Sequence, residues 1–152
     1  MKMTNVRRAI SLLLQYPHFA DEFAPLASIP PAQVRGIELI HQLYELCSDN
    51  EHITTAALLE RFREQNYFST LMELARHRHN DMEAMSAEDA LVLIRSNNQK
   101  IVAESQSLEF DQAAAELEGL TAKAAIAELS EQEQARKESL RAYIRDQLSQ
   151  QS

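Results

Sequence analysis

Glycine is nearly absent from this chain, with two residues in 152, and runs of β-branched residues are missing too. Both absences count against strands and tight hairpins and point to an all-α chain with short helix connections. Cysteine occurs once, at Cys47, which excludes an intramolecular disulfide and a cysteine-rich zinc site. No apolar run approaches the roughly eighteen residues that a membrane span needs. The start lacks a secretory pattern: Lys2, Arg7 and Arg8 precede only the short run 9–14, with no small-residue cleavage site after it. A cytoplasmic protein is expected. Positive charge is also short, with 15 Lys and Arg against 23 Asp and Glu, a net charge of -8. Residues 1–80 hold 8 basic and 9 acidic side chains, and residues 81–152 hold 7 and 14. Direct nucleic-acid binding needs clustered Lys and Arg, so the second half is expected to meet a protein partner instead.

What is present is amphipathic helix. The apolar fraction of 45% is enough for one cored domain, alone or with a small appendage. Residues 31–47 carry two adjacent stripes, Ile37, Ile40, Tyr44 and Cys47 beside Leu39, Leu43 and Leu46. So wide an apolar surface predicts a helix in the middle of a bundle, opened by Pro30 and Pro31 and closed at Ser48-Asp49-Asn50. Ahead of it, residues 5–16 predict a helix capped by Asn5 and ended by Pro17. Residues 18–24 predict a short helix closed by Pro25. Behind it, Thr54 or Thr55 starts a helix with Leu58, Leu59 and Phe62, and another follows with Phe68, Leu71, Met72 and Ala75 in register.

The rest reads as a loop over 77–85, a Ser86 cap, and a helix with Leu91, Ile94, Ile101 and Leu108 at helical spacing. Residues 95–100 (RSNNQK) are polar all round, so weak packing or a break near Asn97-Asn98 is expected. Residues 110–128 are alanine-rich and helical. Ser130 and Glu133 form a capping box before a last helix with Leu140, Tyr143, Ile144 and Leu148 on one face. These two helices make a hairpin too small for a core of its own, so its stripe must meet something else. The expected architecture is a bundle of five to six helices over 1–108 and a C-terminal hairpin over 109–152.

No catalytic constellation emerges. His77 and His79 with Asp81 suggest a metal, but residues two apart point to different sides of a helix, and Arg76 and Arg78 oppose a cation. A solvated helix end is the plainer reading. Cys47 with His41 or His52 resembles a nucleophile pair, yet Cys47 lies on the apolar stripe and is expected to be a buried thiol. Arg61, Arg63, Arg76 and Arg78 raise a helix-turn-helix, but Glu60, Glu64 and Glu73 interleave with them, as on a salt-bridged surface.

Several blocks resemble the C-terminal, helicase-binding domain of bacterial DNA primase. They are VRRAISLLLQYP over 6–17, the segment from Phe19 to Pro25-Leu26, Gly36-Ile37-Glu38-Leu39 with Leu43, Leu46 and Cys47, and ITTAALLE over 53–60 with Phe62-Arg63. The last is the most specific. Phe110-Asp111 and the run 129–133 are similar to the family's terminal hairpin, and between Met72 and Phe110 the resemblance lapses. It implies a fragment of a longer protein, with Met1-Lys2-Met3 as an added start and the zinc-binding domain and polymerase core upstream. Such a fragment is non-catalytic and needs no metal or cofactor. It implies that the hairpin binds the N-terminal domains of the hexameric replicative helicase and couples priming to unwinding. By position the contact residues are Arg136, Leu140, Arg141, Tyr143, Ile144, Arg145 and Leu148. It also implies a pocket for the acidic C-terminal tail of single-stranded-DNA-binding protein, at Lys2, Asn5, Val6 and Ile10. The fragment alone is expected to be a monomer. The rival readings are the N-terminal domain of the helicase itself and a self-associating helical adaptor.

Overall fold

Thr4 starts the first helix. Its Oγ1 accepts a hydrogen bond from the Arg7 N–H at 3.1 Å, so Thr4 and not Asn5 is the cap. The computed structural model describes residues 2–79 and 85–150. Among these the elements are α1 (Asn5–Gln15), a 3-10 helix (Pro17–Phe23), α2 (Ala24–Ala27), α3 (Ile37–Asp49), α4 (Thr55–Glu60), α5 (Phe68–Arg76), α6 (Ala87–Ala124) and α7 (Glu131–Gln150). The all-α reading holds, and the described residues contain no strand. None of the described helices is long and apolar enough to cross a membrane. The chain divides into two compact units, Met1–Glu104 and Ser105–Ser152, and the division falls within α6.

In the first unit the middle position belongs to α1, not to α3. Six consecutive α1 residues, from Ala9 to Leu14, are buried, and α1 packs against α3, α4, α5 and the 3-10 helix. A helix surrounded on all sides needs its polar groups satisfied internally. The one hydroxyl in that run, Ser11, donates to the Leu74 carbonyl at 2.5 Å. On α3 the buried stripe is Ile37, Ile40, Leu43 and Cys47, while Leu39, Tyr44 and Leu46 stay half-buried. α3 also starts later than its apolar pattern, at Ile37. Gly36 ahead of it is left-handed, with φ 88°, a conformation no helix interior accepts. Pro25, expected to close a helix, stands in the first turn of α2. Thr54 caps α4 through the Ala57 N–H, and Thr55 Oγ1 donates across to the Leu14 carbonyl at 2.6 Å.

The polar run 95–100 neither breaks nor loosens α6. The helix is continuous, and Asn97 and Asn98 are 2% and 3% exposed. Asn97 Nδ2 donates to the Asn5 carbonyl at 2.9 Å and Asn98 Nδ2 to the Glu22 carbonyl at 3.1 Å. Arg95 forks onto the Glu22 carboxylate, both distances 2.9 Å, which holds that carboxyl below its usual range. With Ala90, Ile94 and Ile101, these groups dock the first part of α6 on the bundle. The loop expected over 77–85 lies largely outside the described residues. The Ser86 cap ahead of α6 is formed, its Oγ accepting from the Asp89 N–H.

Candidate partner-binding surfaces

The second unit holds the hairpin of the later part of α6 and α7. Its turn is built by local chemistry. Ser130 Oγ accepts from the Glu133 N–H, and Glu133 Oε1 accepts from the Ser130 N–H, each at 3.1 Å. This is the capping box written in the sequence. Lys123 Nζ bonds the same Glu133 carboxylate at 2.5 Å, which with the Ser130 bonds holds that carboxyl below its usual range. Further along, Arg136 forks onto Glu116 at 2.8 and 2.9 Å. Tyr143 has its phenol pushed up, first by burial and then by the nearby Glu109 carboxylate. The pairings 116 with 136 and 109 with 143 share one antiparallel register, and that register sets Leu140 opposite residues 112–113. Ala113 and Leu140 are the buried apolar residues of this unit, 8% and 3% exposed. A small side chain facing a large one lets the two helices close. The ion pairs are exposed and therefore set register more than stability.

The seven hairpin residues expected at an interface separate into groups. Leu140 is enclosed, and Arg136 is committed to Glu116. Tyr143 and Ile144 are half-buried at the edge of the seam. Arg141, Arg145 and Leu148 are exposed and recur at i, i+4 and i+7, so they share one side of α7. Leu148 is 54% exposed, and Arg141 reaches only a 3.8 Å contact with Glu138. Ile126, in the turn, is 88% exposed. Sequence periodicity passes over it because it lies beyond the last turn of α6.

The first unit carries a groove of about 670 Å³ between α1, the turn ahead of α3, and α5. Val6, Ile10, Leu71 and Leu74 give it an apolar lining, and Arg7 and Arg35 add two cations against one carboxylate, Glu104. Asn5, Val6 and Ile10, expected in a pocket, all line it. Lys2 is not among the lining residues. Its side chain is exposed, and its carbonyl accepts from Arg7 Nη1 at 2.6 Å. Sequence reasoning missed Arg7 and Arg35. Arg7 adjoins the expected residues, whereas nothing local links Arg35 to α1. Gly36 makes that link: a Cβ there would meet Val6 Cγ1 at 3.2 Å, so the turn lies against α1 at the groove.

The residues weighed for catalysis are otherwise engaged. Cys47 is 6% exposed, and burial pushes its thiol up to about 11, so it stays protonated. His41 Nε2 lies 2.9 Å from the Leu26 carbonyl, and His52 is exposed. His79 does not stand at a solvated helix end. It is half-buried, with Nε2 2.9 Å from Ser11 Oγ. Asp81, weighed with it as a metal ligand, lies outside the described residues. Among the described residues no three His, Cys, Asp or Glu side chains are grouped to hold a metal ion.

Residues 6–150 match the family described as DNA primase DnaG DnaB-binding. The chain is 28% identical to the DNA primase of Buchnera aphidicola over 102 residues, which is 67% of this chain and 18% of that protein. It is 33% identical to the DNA primase of Escherichia coli over 75 residues, 49% of this chain and 13% of that one. Among solved structures, the DnaG primase C-terminal domain from Vibrio cholerae is similar with a TM-score of 0.57 and 27% identity, covering 90% of this chain and 96% of that one. The chain thus spans less than a fifth of the curated relatives it matches.

Proposed function

The chain belongs to the DnaB-binding family of DNA primase DnaG, and from that premise we propose that it is the non-catalytic part of a cytoplasmic primase that docks on the hexameric replicative helicase. The family match across both units carries the reading. The hairpin is the docking element. Its Leu140 seam and Arg136–Glu116 fork hold α7 in register, and the side with Arg141, Arg145 and Leu148 meets the helicase N-terminal domains, with Tyr143 and Ile144 at its margin. Arginine and aromatic side chains with an apolar neighbour suit a small, exchangeable interface. Docking there couples primer synthesis to unwinding by holding the polymerase core at the fork.

The test is a titration of the chain, monomeric when alone, against DnaB of the same organism. Leu148→Asp should weaken binding at least tenfold with helicity unchanged, since Leu148 is exposed and takes no part in the seam. Binding that survives Leu148→Asp and Tyr143→Ala/Ile144→Ala alike moves the interface to the bundle. A chain that dimerises and ignores DnaB at tens of micromolar, roughly the weak end for small interfaces, is the self-associating adaptor instead.

A second site is favoured by the α1 groove. Its apolar lining with Arg7 and Arg35 suits a short acidic peptide with a hydrophobic residue, the chemistry of the single-stranded-DNA-binding protein tail. Affinity for such a peptide should fall with salt and drop at least fivefold in Arg35→Ala. Salt-independent or absent binding removes this site.

A further inference from the structure

A second groove of the first unit, about 380 Å³, lies between the later half of α3 and the turn that follows α4. Gln42, Glu45, Leu46 and Asp49 form its α3 wall. They recur at i, i+3, i+4 and i+7, so one helical face supplies all four. Arg61 and Phe62 form the other wall. Its backbone is fixed locally: the N–H groups of Arg61, Phe62 and Arg63 donate to the carbonyls of Leu58, Leu59 and Glu60 at 3.2, 3.0 and 3.3 Å. Phe62 is buried and Leu46 half-buried, so an apolar floor lies beneath charged rims. Those charges are unpaired. Arg63, Arg95 and Arg136, all exposed, close onto Glu60, Glu22 and Glu116. Arg61 lines one groove with Glu45 and Asp49, yet among the described residues none of the three forms an ion pair. Carboxylates at i and i+4 repel each other. Both stand in the C-terminal half of α3, whose negative end has no basic residue in its last turn. Neither carboxylate therefore serves the fold, and together they concentrate negative potential over an apolar slot.

We propose that this groove is a docking site for a single arginine side chain presented by a partner protein, separate from the helicase contact on the hairpin. The guanidinium bridges Glu45 and Asp49, since its planar array of N–H donors can serve two carboxylates at once. Its methylene stem lies on Leu46 and Phe62. Arg61 sets the selectivity. It repels a second cation, so a lone arginine among neutral or acidic neighbours fits and a polybasic run does not. Its own donors remain for a carbonyl or carboxylate of the partner. The occupant is a protein segment and not a nucleic-acid backbone, whose phosphates the two carboxylates repel. Nor is it a small molecule, because Glu45, Asp49 and Arg61 are exposed, whereas a small ligand's pocket encloses most of its surface.

The probe is Nα-acetyl-L-arginine amide, titrated into the whole chain while the backbone amides are followed by NMR. The expected result is a saturable shift confined to residues 42–49 and 61–65 and weakened by salt. Nα-acetyl-citrulline amide, the neutral isostere, should bind about tenfold more weakly. Glu45→Gln and Asp49→Asn should each weaken the arginine probe about threefold, with helicity unchanged and melting no earlier than in the parent. Arg61→Gln should tighten it about twofold, by removing a repulsion. Equal affinity for the arginine and citrulline probes overturns the site. So do shifts that never saturate, or an affinity unchanged in both carboxylate variants. Free L-arginine binding about tenfold more tightly than the blocked probe would make this an amino-acid pocket, with the ligand carboxylate on Arg61, and overturn the partner reading. Self-association of the parent that is lost in Glu45→Gln/Asp49→Asn would make the occupant a second copy of the chain, and overturns it likewise.

Discussion

Replacing Gly36 by alanine tests how the turn ahead of α3 is held against α1. Gly36 has φ 88° and ψ -1°, the left-handed region, where an L-residue costs roughly 1–2 kcal/mol. The added Cβ also falls 3.2 Å from Val6 Cγ1, inside the roughly 3.5–4.0 Å of a relaxed carbon contact. Either Val6 shifts or α3 moves off α1, so Gly36→Ala should cost about 2 kcal/mol. For a chain of this size, that lowers the melting temperature by about 4–8 °C. Calorimetry with urea titration reads the cost. A double-mutant cycle with Val6→Ala separates its parts, because removing the Val6 methyls relieves the contact and leaves the backbone strain. Gly36→Ala should then cost about 0.5 kcal/mol less in the Val6→Ala background than in the parent. A cost within about 0.5 kcal/mol of zero in the parent would refute the backbone argument. Equal costs in both backgrounds would refute the contact.

Asn98→Ala should destabilise the chain by about 1–2 kcal/mol, since it removes a buried side chain and the donor it gives to the part-buried Glu22 carbonyl; equilibrium unfolding measures this, and a silent mutation would return the polar run to a solvated role. His79 gives a pH signature. Its folded pKa, about 4, lies below the ordinary 6.5, so between these values the unfolded chain holds a proton that the folded chain lacks. Its contribution is therefore full above pH 6.5 and is lost as pH falls toward 4. His79→Gln should flatten that part of the stability profile, and an unaltered slope would contradict the burial of the ring. Cys47 should resist a thiol reagent at pH 8 in the folded chain and react on unfolding; reaction at the rate of a free cysteine in native buffer would contradict a thiol pushed up to about 11.

The features legible in the sequence were those decided within one helical turn. Ser130 with Glu133, Ser86 ahead of Asp89, and Thr54 ahead of Ala57 are caps spanning three residues, and each is formed. The apolar stripes of α3 were legible for the same reason, since helical spacing alone puts those side chains on one face, whereas on α5 the expected set held Leu71 but omitted Leu74, which is buried. Asn97 and Asn98 show where this stops. Two adjacent asparagines in a helix read as a weak point, because nothing nearby in sequence needs their donors. The groups that use them, the Asn5 and Glu22 carbonyls, lie more than seventy residues away. A comparable separation hid the link between Ser11 and His79, 68 residues apart, and made a half-buried imidazole look like a solvated helix end.

Composition and periodicity determine that this chain is helical, where most of its helices start, and which faces are apolar. These follow from backbone propensity and side-chain direction, which act over three or four residues. Three things were left to the tertiary structure. It put α1, not α3, at the middle, because enclosure depends on how many neighbours a helix has rather than on the width of its stripe. It turned Leu140 inward and left Leu148 outside, although both belong to one apolar face of α7, because the antiparallel register with α6 covers only part of that face. It joined Asn5, Val6 and Ile10 of α1 with Arg35 in one groove. That groove depends on a turn whose only residue with the required backbone freedom, and without a side chain to strike Val6, is Gly36.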